Sequence, residues 1–162
     1  MKILAIDPGY ERLGIAIMER KGKVDELIYS DCFFTDKSLP HPERLAAIGI
    51  ELDRIIDEHK PEALSIETLF FSKNTKTAMK VAESRGVILQ VAKRRGLKIY
   101  EFSPMSIKIA VTGYGRSDKN QMISMIPRLI KIAKPIKYDD EFDAIAAGIT
   151  CFATLKNIYP QK

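Results

Sequence analysis

Two short apolar runs in this chain each stop at an acid: Ile3-Leu4-Ala5-Ile6 at Asp7, and Ala63-Leu64-Ser65-Ile66 at Glu67. Runs of this length read as buried strands. In an open α/β sheet the strand ends are where sites are built. Two more acids, Asp140 and Asp143, open a helix of small residues, Asp143-Ala144-Ile145-Ala146-Ala147-Gly148-Ile149. They stand at i and i+3, neighbours on one helix face. Carboxylates drawn together resist joint ionisation unless a positive charge stands between them. Hard, oxygen-seeking Mg²⁺ or Mn²⁺ is the economical filler. The pattern calls for a fold that brings two strand ends and one helix start to the same edge of a sheet.

Taken singly, each acid has an ordinary explanation. Asp7-Pro8-Gly9 is a common turn signal. Glu67 can end a strand and face water. Asp139, Asp140, Glu141 and Asp143 crowd a helix start, where acids complement the macrodipole without further role. The functional reading rests on the set.

Charge is divided unevenly along the 162 residues. From Lys73 to Lys137 there are fifteen Lys/Arg against three acids, a net of +12, while the remainder carries eleven bases and eighteen acids, a net of −7. Such asymmetry is the electrostatic footprint of a polyanion binder. The only cysteines, Cys32 and Cys151, are far apart and have no His/Cys cluster beside them. That excludes a disulfide scaffold or zinc site and suits a reducing cytoplasm. His41 and His59 flank a helical segment and read as surface residues. No stretch has membrane-spanning length, and Asp7 interrupts the N-terminal run too early for a signal peptide. Length and composition predict one domain over residues 1–157, with a C-terminal tail at 158–162.

Residues 2–7, Leu13 to Met18 and Val24 to Thr35 read as strands, with Gly22 marking a tight connection, so an antiparallel meander is expected. Leu45, Ile48, Leu52, Ile55 and Ile56 recur at helical spacing and predict a helix from Pro42 to His59. Ala63 to Glu67 is a fourth strand. Asn74 suits the N-cap of a helix that ends at Lys93-Arg94-Arg95 before Gly96. Its face with Ala78, Val81, Ala82, Leu89 and Ala92 is expected to pack on the sheet. Met79, Gly86 and Lys93 lie partly on another face, free for a second copy. Lys98 to Phe102 is a fifth strand, followed by a short helix from Pro104. Asp118 caps a helix running through Ile132 and stopped by Pro135, and a last helix spans Asp140 to Lys156. The expected class is α/β, a five-stranded mixed sheet with helices on both faces.

Several segments carry a resemblance in fixed order: Ile6-Asp7-Pro8-Gly9 with Gly14, Ile66-Glu67, Phe70-Phe71-Ser72-Lys73-Asn74, and Ala82-Glu83-Ser84-Arg85-Gly86-Val87. Tyr100 to Lys108, Gly113-Tyr114-Gly115 with Lys119, and Asp140-Glu141-Phe142-Asp143-Ala144 complete it. Over nearly its whole length the chain resembles the RuvC family of Holliday-junction resolvases, which have the ribonuclease H-like fold. The family's Asp-x-x-Asp spacing selects Asp140 over Asp139. The resemblance implies a dimeric endonuclease, dependent on Mg²⁺ with Mn²⁺ as substitute, that nicks two opposing strands of a four-way DNA junction in recombination and repair. A branch-migration motor complex is the further partner it implies.

By the same resemblance Asp7, Glu67, Asp140 and Asp143 hold two metal ions that activate a water and stabilise the leaving oxygen. Lys108 and Lys119 match basic positions near the scissile phosphate, where they would stabilise transition-state charge. Lys73, Lys76, Lys80 and Arg116, with Asn74, are expected along the DNA backbone. Phe70 and Phe71 are candidates to stack on bases opened at the crossover; the resemblance points to Phe70. Three rival readings fit less well: a sugar-kinase-like phosphate hairpin, for which there is no room for a second domain; a catalytically silent DNA-binding module, disfavoured by four intact acids; and a nuclease on RNA–DNA hybrids, disfavoured by the paired aromatics and the basic Asn74 helix.

Overall fold

The computed structural model describes residues 1–68 and 75–158. Its elements in chain order are β1 (Lys2–Asp7), β2 (Arg12–Lys21), β3 (Val24–Phe34), α1 (His41–His59), β4 (Ala63–Glu67), α2 (Thr75–Arg94), β5 (Lys98–Phe102), α3 (Pro104–Thr112), α4 (Lys119–Leu129) and α5 (Asp139–Ile158). The strands form one mixed sheet in the order β3-β2-β1-β4-β5. β1, β2 and β3 make the antiparallel meander, and β1-β4-β5 run parallel. Gly22 makes the tight connection with φ of 62°. Side chains two apart in a strand share a face, and the two faces are built differently.

One face carries Leu4, Ile6, Leu13, Ile15, Ile17, Leu64 and Ile66, covered by Ile48, Leu52 and Ile55 of α1 and by Ile88 and Val91 of α2. The other carries Ile3, Ala5, Ala16, Met18 and Ala63, covered by α5 through Ala144, Ala146, Ala147 and Phe152, with α3 and α4 packed beside it. Small residues let α5 approach closely. A Cβ on Gly14 of β2 would run into the carbonyl oxygen of Asp140, and one on Gly148 of α5 would meet the Met18 sulfur. Ser65 Oγ donates to the Ala147 carbonyl at 2.7 Å, so even the polar group under α5 is satisfied.

Three expectations change. α4 stops at Leu129 rather than Ile132: Pro127 leaves the Ile123 carbonyl without its helical donor and weakens the last turn, and the chain turns extended at Ile130. It then runs beside β3, where Lys131 bridges Glu26. On α2 the deepest residues are Ser84, Ile88, Val91 and Ala92; Ala78, Val81, Ala82 and Leu89 are half-buried, so the buried stripe is rotated from the expected one. His41 and His59 are not open surface residues. His41 is held 2.6 Å from Glu83 Oε2 with its ring edge on Tyr10, and His59 lies against the Tyr29 ring.

Candidate active site

Strand parity explains how the acids meet. Asp7 lies two residues beyond Ala5 and Glu67 two beyond Ser65, both on the α5 face. β1 and β4 are parallel neighbours paired Ile6 to Ile66, so the acids that follow stand side by side where the strands end. α5 crosses this face with Asp143 toward them. Asp7, Glu67 and Asp143, with Lys108 of α3 and Lys119 of α4, line a cleft of about 270 Å³ whose apolar wall is Pro104, Ile107, Met122 and Ala146.

Electrostatics record the crowding. The Asp7 pKa is pushed up to about 7 by burial, then by Asp143, Glu67 and Asp140, with Lys119 opposing. Burial and Asp143 raise Glu67, against the pull of Lys108. Burial also raises Asp143, against its bond from Lys119. Lys119 Nζ donates to Asp143 Oδ2 at 3.0 Å and lies 3.3 Å from Asp139 Oδ2. Partial burial works against its ammonium, but these two acids hold its pKa above the ordinary value.

Asp140 stands apart from the cleft lining. It sits over Gly14, with Arg12 Nη1 3.5 Å from its Oδ2 and the Cys32 thiol nearby. Asp139 is the more exposed of the two. Among the described residues no three His, Cys, Asp or Glu side chains are already closed up in metal-holding geometry. The donor set nonetheless fits a hard cation. It is all carboxylate, it is mutually repelling, and one oxygen, Asp140 Oδ2, is buried without a hydrogen-bond donor.

Other sequence candidates fall elsewhere. Arg116 is exposed in the loop between α3 and α4. Lys80 lies over the Tyr10 ring at 5.1 Å rather than in the cleft. Lys76 belongs to the first turn of α2. Phe70, Phe71, Lys73 and Asn74 lie outside the described residues.

Sequence reasoning missed the residues that hold the acids in place. Ser84 Oγ donates to the Gly9 carbonyl at 2.9 Å, and Arg85 Nε to the Glu67 carbonyl at 3.0 Å, so α2 clasps both acid-bearing strand ends. Their signal in the sequence is the Glu83-Ser84-Arg85 segment of the family resemblance. Glu141 is buried, not a solvated helix-start acid. It accepts from Ser30 Oγ at 2.6 Å and from the backbone N–H groups of Lys137 and Tyr138 at 3.1 and 3.2 Å. Burial raises its pKa, but these bonds and Lys134 outweigh it, so the carboxylate is held below its ordinary range. It latches the start of α5 to β3. Further along, Arg20 donates to the Phe152 carbonyl at 2.8 Å. α5 is thus tied down on either side of Asp143, with Asp140 next to the Glu141 latch.

A ribonuclease H-like sheet with carboxylates at two central strand ends and on the crossing helix defines a class of metal-dependent nucleases. The family model described as "Crossover junction endodeoxyribonuclease RuvC" matches residues 3–151. A protein of that description from Thermosipho melanesiensis is 44% identical over 148 residues, covering 91% of this chain and 94% of the relative. Another from Petrotoga mobilis is 42% identical, covering 91% of each. The solved structure of T. thermophilus RuvC in complex with Holliday junction substrate superposes with a TM-score of 0.88 at 26% identity, covering 97% of this chain and 96% of that one. The chain belongs to the RuvC family of crossover junction endodeoxyribonucleases.

Proposed function

We propose that this endodeoxyribonuclease cuts four-way DNA junctions by paired symmetric nicks, with Asp7, Glu67, Asp140 and Asp143 as ligands for two Mg²⁺ ions. Family membership carries the activity and its divalent-metal dependence. The observation that supports the site is the shared cleft: acids from two parallel strand ends and from α5 face two lysines across one space. Bound Mg²⁺ would activate a water toward the phosphorus and take up charge on the leaving oxygen. Lys108 and Lys119 then neutralise the phosphate as its charge grows. The apolar wall of Ile107 and Met122 limits water around them and strengthens that interaction. Because burial keeps Asp7 proton-binding to about pH 7, metal loading releases a proton and tightens as pH rises.

The reading includes a two-fold homodimer, since two identical sites suit two symmetry-related strands. The exposed Met79, Gly86 and Lys93 on α2 support a face for the second copy. It also includes Phe70 as the base-stacking residue at an opened crossover, residues 1–157 as one nuclease domain built on the single sheet, a cytoplasmic site of action and a branch-migration motor as partner. Among the described residues no helix is long and apolar enough to cross a membrane. Labelled four-way junction, linear duplex and RNA–DNA hybrid, each incubated with Mg²⁺ or EDTA, test the reading. Paired nicks are expected on the junction alone and only with Mg²⁺; preferential cutting of the hybrid would overturn it.

A further inference from the structure

Arg12 is the first residue of β2, two before Gly14, so its side chain emerges on the α5 face. The preceding turn is tight enough that a Cβ on Gly9 would strike the Arg12 carbonyl oxygen, which returns the chain to the edge of the site. Its guanidinium then stands 3.5 Å from Asp140 Oδ2, with the Arg12 side chain 53% exposed and that of Asp140 only 15%. The oxygen it faces is buried and accepts no hydrogen bond. Half-exposed Lys119 likewise pairs with Asp143, there through a hydrogen bond of 3.0 Å. Each site acid of α5 therefore carries one tethered cation on a long side chain that is free to leave toward solvent.

We propose that Arg12 is both the resident counter-ion of Asp140 and a substrate contact. A divalent cation taking Asp140 releases the guanidinium, which then grips a phosphate oxygen of the strand lying in the cleft. Three features favour exchange over a fixed structural pair. The contact lacks hydrogen-bond geometry, so little holds it. Asp140 gains more from a cation that reaches its bare oxygen directly. A guanidinium fork matches phosphate better than a single buried carboxylate oxygen. Arg12 pairs with Phe34 of β3, whose ring meets that of Tyr138 in an edge contact at 5.1 Å. Arg12 extends the basic surface to the β2–β3 side of the site. The inference rests on the reading of Asp140 as a metal ligand.

The test uses wild type, Arg12→Gln and Arg12→Lys. Calorimetric titration with Mn²⁺ without DNA should show Arg12→Gln binding about two- to fivefold tighter, the scale of an exposed ion pair removed. Anisotropy with labelled junction should show wild type and Arg12→Gln equal in EDTA, where Arg12 is engaged by Asp140. In Ca²⁺ the variant should bind several-fold more weakly, with a salt slope smaller by roughly 0.9 per protomer. Arg12→Lys should recover part of each change. Mn²⁺ affinity unchanged or weakened in Arg12→Gln, or an equal loss of junction affinity in EDTA and Ca²⁺, would overturn the exchange. Wild type that takes up no Mn²⁺ would instead bring down the metal-site reading, and this inference with it.

Discussion

The two faces of the sheet are built by opposite rules. Under α1 and α2 lies a layer of branched aliphatic residues, each filling its own space. Under α5 the layer is Ala5, Gly14, Ala16 and Ser65 against Ala144, Ala147 and Gly148, so helix and strands meet almost backbone to backbone. The first arrangement is what burial of apolar area rewards. The second gives up side-chain volume to bring the start of α5 close to the ends of β1 and β4, which gathers acids that repel one another. The cleft belongs to the small-residue face, and none of its lining residues lies on the aliphatic one.

Substitutions on each face test that division, and their effects on nicking should fall in a definite order. Asp7→Asn should reduce Mg²⁺-dependent nicking of a junction by more than ~100-fold, since loss of even an outer-shell partner of a metal ligand costs ~10–100-fold. Junction affinity by anisotropy should be unchanged or improved, because a charge repelling phosphate is gone. Gly14→Ala should come next. Its Cβ collides with the Asp140 backbone, which has nowhere to go, so α5 must shift; a loss of ~1–3 kcal/mol is expected with nicking impaired beyond the fraction unfolded. Ile55→Ala, on the aliphatic face, should cost more stability, ~2–5 kcal/mol in denaturant unfolding, yet leave nicking per folded molecule unchanged. If Ile55→Ala and Gly14→Ala lose activity in proportion to stability alike, the two faces are not divided in this way.

The smallest effect is on the pH profile of stability. The folded Asp7 pKa of about 7 lies above its ordinary 3.8, so the folded state binds the proton more tightly. Without metal, the cost of the charged form is full above pH 7 and lifts as pH falls from 7 toward 4. Glu67 and Asp143 shift the same way. His59, its pKa lowered by burial, has the opposite sign below its ordinary 6.5. The comparison that isolates Asp7 is therefore the Tm of Asp7→Asn minus that of wild type in EDTA. That difference should be positive at pH 8 and shrink toward pH 5; a difference independent of pH would contradict the crowding.

Much of this was legible in the sequence because it rests on local signals. The acids end apolar strand runs, and parity alone puts Asp7 and Glu67 on one face. What escaped lies in contacts between distant segments. Arg12, one residue before the expected strand Leu13 to Met18, carries no signal of its own until α5 is laid across β2. Glu141 reads as one more helix-start acid, though Ser30, 111 residues away, makes it a buried latch. The early end of α4 goes with the Lys131 bridge to β3, which is invisible locally. His41 looked exposed because Glu83 and Tyr10 reach it only through the fold.

The central claim is that the small-residue face assembles acids whose repulsion a divalent cation relieves. Thermal unfolding of wild type and Asp7→Asn at pH 8, each in EDTA and in saturating Mg²⁺, tests it most directly. In EDTA the variant should melt higher. Mg²⁺ should raise wild type by the binding free energy gained, RT ln(1 + [Mg²⁺]/Kd), and raise the variant much less, so that the gap closes or reverses. A variant that melts no higher than wild type in EDTA, with Mg²⁺ shifting both equally, would contradict the account.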